Sequence, residues 1–337
     1  MKKKTRKYLQ KLQFEYAFER EGVQVTFLVF SGRDDPQWFI QDNDARYKNI
    51  KEHLDAARGA SLTYPPDWMN PRLGYKGFLV QEQAQEQPEL IIGDKTKELQ
   101  SILYDTLPPG WLKEPTLKEH FANVFELEIV RGKISAVNPA VKPLRPLPIV
   151  KLPKENLPAK KPPQPPPEEI VPAKKTISVG GRRKRYAYPY TPSTWNTNKQ
   201  LDNNCYNYAN NKVTDTFAQP GRGSGAKCRA QDAVCMRNSA VNDHLEFMDV
   251  AAGAPIPRVP NGKKHLVALY VRPGIDFHFY QMDQEGMWTH KPGRAPATDL
   301  DNANQLISDP RRATTDRNGY DAFGGFLLSN RDEVTIA

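Results

Sequence analysis

Cysteine is scarce in this chain: Cys205, Cys228 and Cys235 are the only three in 337 residues. Three is too few for the disulfide framework that staples small secreted domains, and an odd count leaves at least one thiol unpaired within a monomer. Six residues separate Cys228 from Cys235. That spacing suits neither a C-x-x-C redox motif nor a usual zinc pair, so the two read as buried thiols on a helix. Long apolar runs are missing too. No stretch approaches the roughly 20 residues that a membrane helix needs, and no membrane span is expected. The opening MKKKTRKYLQKLQFEYAFER has a basic front with no apolar segment behind it, unlike a secretory signal. Cytoplasmic residence is the default expectation. Leaderless secretion as an effector would leave the same trace.

A cation surplus is also absent from most of the chain. The net charge is +9. Residues 139–185 hold twelve Lys or Arg against three acids, so that tract carries the whole excess. The basicity therefore belongs to a connector and not to a folded nucleic-acid-reading face, and nucleic acid is not an expected partner. A salt-sensitive tether through the tract remains the one nucleic-acid reading.

What is abundant is proline, 30 in all, of which twelve fall within 139–172. Proline fixes φ and lacks a backbone donor. Residues 138–185 thus read as an extended, semi-rigid basic linker, ending in the cluster Arg182-Arg183-Lys184-Arg185. The linker divides the chain into an N-terminal region, 1–137, and a C-terminal one, 186–337. The N-terminal region reads as a separate α/β domain. Val23–Phe30 is a β-branched and aromatic run, which predicts a buried strand. Asn43–Arg58 has helical character. Gly77–Val80 and Leu90–Ile92 read as short strands. Asp94 is placed to cap a helix whose face is Leu99, Ile102 and Leu103. Phe125–Val130 reads as a last strand. No catalytic constellation is visible there, and partner binding through this domain or the linker is its expected role.

Chemistry concentrates after the linker. In Leu201-Asp202-Asn203-Asn204-Cys205-Tyr206-Asn207-Tyr208-Ala209-Asn210, three good N-cap residues precede Cys205. That places the thiol in the first turn of a predicted helix, where the dipole favours thiolate and free N–H groups could stabilise an oxyanion. A lone helix cysteine is more often a small buried hydrophobe, so the reading needs a base. His265–Val271, Asp276–Tyr280 and Met287–Lys291 read as consecutive antiparallel strands. Alternation puts His278 on the face of Tyr280, with Phe277 and Phe279 turned to the core. A three-residue loop centred on Gln284 would set His290 directly opposite His278, about 5.5 Å apart at Cβ. Two facing histidines suit a base and its orienter. The glycine-rich Thr216–Gly225 lacks a P-loop ending and reads as a flexible loop near the site. Asp299–Asn304 lacks the glycine and glutamate of a calcium loop and reads as a turn. No metal or cofactor is expected.

The order of a helix-start Cys, a strand His and a polar residue on the next strand resembles the papain-like superfamily of cysteine hydrolases, including cell-wall amidases and endopeptidases, deamidases and toxin domains. The segments N-C-Y-N-Y-A and D-F-H-F-Y…W-T-H-K-P-G carry the resemblance, which covers 186–337. It implies an α+β fold with a helix-borne Cys packed on an antiparallel sheet. It also implies an acyl-enzyme mechanism on a peptide or protein substrate, with Cys205 as nucleophile, His278 as base and His290 as third member. A His is the less usual third residue. No Gln stands at the family's upstream spacing, which leaves Gln200, Asn203 and Asn204 as oxyanion candidates, Asn204 and Gln200 first. The alternatives are an acyl-transfer or deamidase variant, and a non-catalytic interaction protein on a degenerate papain-like scaffold.

Overall fold

The computed structural model describes residues 21–138, 187–251, 253–259, 262–313 and 319–337. The prolines and cations of the linker and the cluster at 182–185 lie outside them. Among the described residues the chain is α+β, built on two antiparallel five-stranded sheets.

The first sheet contains β1 (Gly22–Phe27), β2 (Gln37–Gln41), β3 (Thr63–Tyr64), β4 (Phe78–Glu82) and β5 (Glu89–Ile91), in the order β2-β1-β4-β5-β3. Val23, Val25 and Phe27 are buried and share a face by the period-two rule. Three helices accompany this sheet: α1 (Tyr47–Gly59), α2 (Lys97–Asp105) and α3 (Pro115–Val124). Pro115 sits at the first turn of α3, where its missing N–H costs nothing.

Two local expectations fail here. Asp94 does not cap α2. It opens a 3-10 turn, Asp94–Thr96, and α2 begins at Lys97 without a side-chain cap. Gln100 Nε2 instead bonds back to the Gly93 carbonyl at 2.8 Å. Phe125–Val130 is not a strand but a π-helical extension of α3. Its F-E-L-E-I-V pattern looks like period two. However, the residues that pack are Phe125, stacked 4.6 Å from Tyr104, and Ile129, fully buried, while Leu127 is exposed. Phe125 and Ile129 are four apart, which is helical spacing.

The second sheet contains β6 (Glu246–Met248), β7 (His265–Arg272), β8 (Asp276–Met282), β9 (Trp288–His290) and β10 (Ala322–Ser329), in the order β6-β10-β7-β8-β9. Around it lie α4 (Pro192–Trp195), α5 (Cys205–Ala209) and α6 (Ala233–Asn242). Alternation gives the sheet two apolar faces. Val267, Leu269, Phe277 and Phe279 pack with Cys205, Tyr206 and Met236 on one side. Ala268, Tyr270, Tyr280, Trp288 and Tyr320 pack on the other.

The described parts of the N- and C-terminal halves share a buried seam. The Asp276 carboxylate accepts N–H bonds from Ser31 (2.5 Å), Gly32 (3.2 Å) and Arg33 (2.9 Å), and the hydroxyl of Tyr320. Asn204 Nδ2 and Gln219 Nε2 donate to the Gly32 carbonyl at 2.6 and 2.7 Å. Gly32 is required by space: a Cβ there would lie 2.4 Å from the Phe277 ring and 2.5 Å from its carbonyl oxygen. Ile275 and Ala295 belong to the same apolar core as the first sheet.

Candidate functional site

Cys205 opens α5, a helix of only five residues. The Asn204 side chain accepts the N–H groups of Tyr206 and Asn207, and Asn207 returns a bond to the Asn204 N–H. This capping box engages the N–H groups of Asn204, Tyr206 and Asn207. The Asn204 amide also spends its own donors, on the carbonyls of Gly32 and Ala218. Gln200 is likewise committed, with Nε2 bonded to the carbonyls of Pro66 and Arg294. Asn203 Nδ2 bonds the Lys199 carbonyl and Asp215. The oxyanion candidates are therefore structural amides here.

The Cys205 thiol is fully buried. Its Sγ lies 3.9 Å from the Phe277 carbonyl, and the backbone N–H groups of Phe279 and of Cys205 itself also face the sulfur. Burial, reinforced by the nearby Asp276 carboxylate, pushes the thiol far above its ordinary range, so thiolate is scarce at neutral pH.

His278 and His290 do meet, though not by the expected register. The turn closes with Asp283 N–H on the Met287 carbonyl (2.8 Å), and Gly286 takes a φ of 79°. That centres the loop on Glu285, and His290 pairs with Tyr280. His278 is diagonal to it, and the rings make up the difference. His278 Nε2 lies 2.8 Å from His290 Nδ1, and His290 Nε2 lies 2.9 Å from the Leu300 carbonyl. A carbonyl only accepts, so His290 carries its hydrogen on Nε2 and its neutral Nδ1 accepts from His278 Nε2–H. His278 Nδ1 is then a bare lone pair, buried and without a partner. Burial holds His290 down to about 4. It holds His278 well below its usual value, helped by His290 and Lys76. Both are neutral at pH 7.

Cys205 joins neither histidine. It packs with Phe277 and Phe279, whereas His278 lies among Tyr280, Tyr320 and His290. Successive residues of β8 point to opposite faces, so the thiol and the imidazoles stand on opposite sides of one sheet.

The polar groups that the sequence reading missed are Asp276, Asp35, Lys76 and Lys291, all buried. Lys291 Nζ donates to the carbonyls of Gln200, Asn203 and Gly293, each at 2.6 Å. Lys76 Nζ donates to those of Phe30 and Gly74. Burial lowers Lys76 to about 8 and raises Asp35 to about 6. One signal for Lys76 was available: it lies between Gly74 and Gly77, whose φ of 88° and 104° mark a chain bent around a fixed side chain.

Three smaller expectations resolve as follows. Cys228 and Cys235 are not free thiols: they form a disulfide with Cα atoms 5.5 Å apart. Only Cys235 is on α6, and Cys228 lies in the preceding loop, which folds back to reach it. Cys205 is the free cysteine. The loop 216–225 is not loose. Its N–H groups at Gly221 and Ser224 bind Asp243, and that of Ala218 binds Asn207. Asp301 accepts the N–H groups of Ala303 and Gln305, making the 299–304 segment a turn. Among the described residues no group of three or more His, Cys, Asp or Glu could hold a metal ion, and no helix is long and apolar enough to cross a membrane.

The fold and its centre define an α+β protein in which Cys205, His278 and His290 are buried. No protein-family model and no solved structure matches the chain. Over 140 residues it is 41% identical to insoluble matrix shell protein 1 of Ruditapes philippinarum, a match covering 41% of this chain and 87% of the relative. The chain belongs to the family of that shell matrix protein.

Proposed function

We propose that this chain is a structural module of an extracellular matrix, in which the papain-like order of Cys205, His278 and His290 serves as scaffold. The observation that carries the reading is the placement of Cys205: fully buried, its thiol pushed upward, on the sheet face opposite the paired histidines. The relative's name supplies the setting, that of a shell matrix. The Cys228–Cys235 disulfide supports a place outside the reducing cytosol, in place of the cytoplasmic default.

Two measurements test it. Native protein is treated with iodoacetamide at neutral pH and each cysteine is followed by mass spectrometry. Cys205 stays unmodified until denaturant is added. Fractionation of the producing tissue finds the chain outside cells. Rapid labelling of Cys205 in the native state, together with an amide-hydrolysing activity lost in Cys205→Ala, would overturn the reading in favour of a cysteine hydrolase, deamidase or acyl transferase.

A further inference from the structure

The disulfide sits beside an open groove of about 420 Å³, whose lining includes Lys227, Cys228, Asp232, Cys235, Asn238 and Asn242. The two sulfurs are unlike. Cys228 is 7% exposed, and its Sγ receives the Gln231 N–H at 3.2 Å. Cys235 is more exposed and stands in the first turn of α6, but its N–H is taken by the Asp232 carboxylate at 2.8 Å. A leaving sulfur is favoured where a donor already waits for its charge, and disfavoured beside a carboxylate. The approachable sulfur is thus Cys235, and the better leaving group is Cys228. The Lys227 ammonium lines the same groove and draws an anion inward.

From this we propose that the Cys228–Cys235 bond is a thiol–disulfide exchange site for small external thiols. The thiolate attacks Cys235 Sγ. The Cys228–Cys235 bond breaks, its electron pair leaves on Cys228 Sγ, and a mixed disulfide remains on Cys235. Return attack by the Cys228 thiolate on Cys235 Sγ expels the thiol. One disulfide replaces another throughout, so no oxidant or reductant beyond the thiol is consumed. Cys205, buried elsewhere, takes no part. The groove has the volume of a small-molecule site, enough for a thiol of tripeptide size. The proposal does not depend on the matrix reading.

The test uses the full chain with reduced glutathione at pH 8, quenched with N-ethylmaleimide and mapped by mass spectrometry. Glutathione is expected on Cys235 at least tenfold over Cys228, with N-ethylmaleimide on Cys228 of the same molecules and Cys205 unmodified. Equal modification of the two cysteines, preference for Cys228, or no adduct at thiol concentrations that reduce the unfolded chain would each overturn the proposal.

Discussion

Acidifying the protein from pH 7 to pH 5 should cost it several kcal/mol of stability, because four buried imidazoles can take up protons only by unfolding. Burial holds His265 and His290 down to about 4 and His120 to about 3, and His278 lies well below its ordinary value. An unfolded histidine titrates near 6.5. Folded values below the unfolded one mean that the unfolded chain binds protons first. The stability is therefore complete above about pH 6.5 and falls as the pH drops toward the folded values. At pH 5 the gap is about 1.5 units, or about 2 kcal/mol for each of His120, His265 and His290 and about 6 kcal/mol for the three, and His278 acts in the same direction. Asp35 works against this. Its carboxyl is raised to about 6 by burial, so the native state binds a proton below that pH and recovers about 1.4 kcal/mol by pH 5. Asp276, also raised by burial, acts in the same direction. A net loss of several kcal/mol remains, a large share of the roughly 5–15 kcal/mol that holds a typical fold. Urea unfolding at pH 7, 6 and 5 at fixed ionic strength measures it. A midpoint that stays level or rises on acidification would refute the reasoning.

Gly32→Ala should destabilise the chain by about 2–3 kcal/mol, since the new methyl meets both the Phe277 ring and its backbone oxygen; a thermal melt within a degree of the parent would show that the seam can open. In ¹⁵N spectra at pH 7, His278 and His290 should both be neutral Nε2–H tautomers, with an unprotonated Nδ1 on each. An Nδ1–H signal from either would mean the relay to Leu300 runs otherwise.

The strands were legible because their residues announce them. Val23–Phe30 and His265–Val271 are β-branched and aromatic runs, and both become strands within a few residues of the expected bounds. The histidine pair was legible from parity alone, since a two-residue change of register keeps His278 and His290 on one face. Turn length was not legible: whether Asp283 closes on Gly286 or Met287 depends on a side-chain bond from Met287 N–H to Asp283 Oδ1. The separation of Cys205 from the histidines was hidden for a different reason. Phe277 and Phe279 were rightly turned to a core, but the helix resting on that core is the one that carries Cys205, and only tertiary packing decides which face a helix covers. Asp276 was invisible because its partners, the N–H groups of residues 31–33, belong to a loop in the other half of the sequence.

That last bond has a consequence in time. Ser31 and Asp276 are 245 residues apart. At synthesis rates of roughly 5–20 residues per second, the first sheet waits roughly 12–50 s for the carboxylate that closes it. Through that interval the N–H groups of Ser31, Gly32 and Arg33 lack the carboxylate that accepts them in the finished fold. The N-terminal half therefore leaves the ribosome with that loop unpaired, and β8, made 245 residues later, completes it.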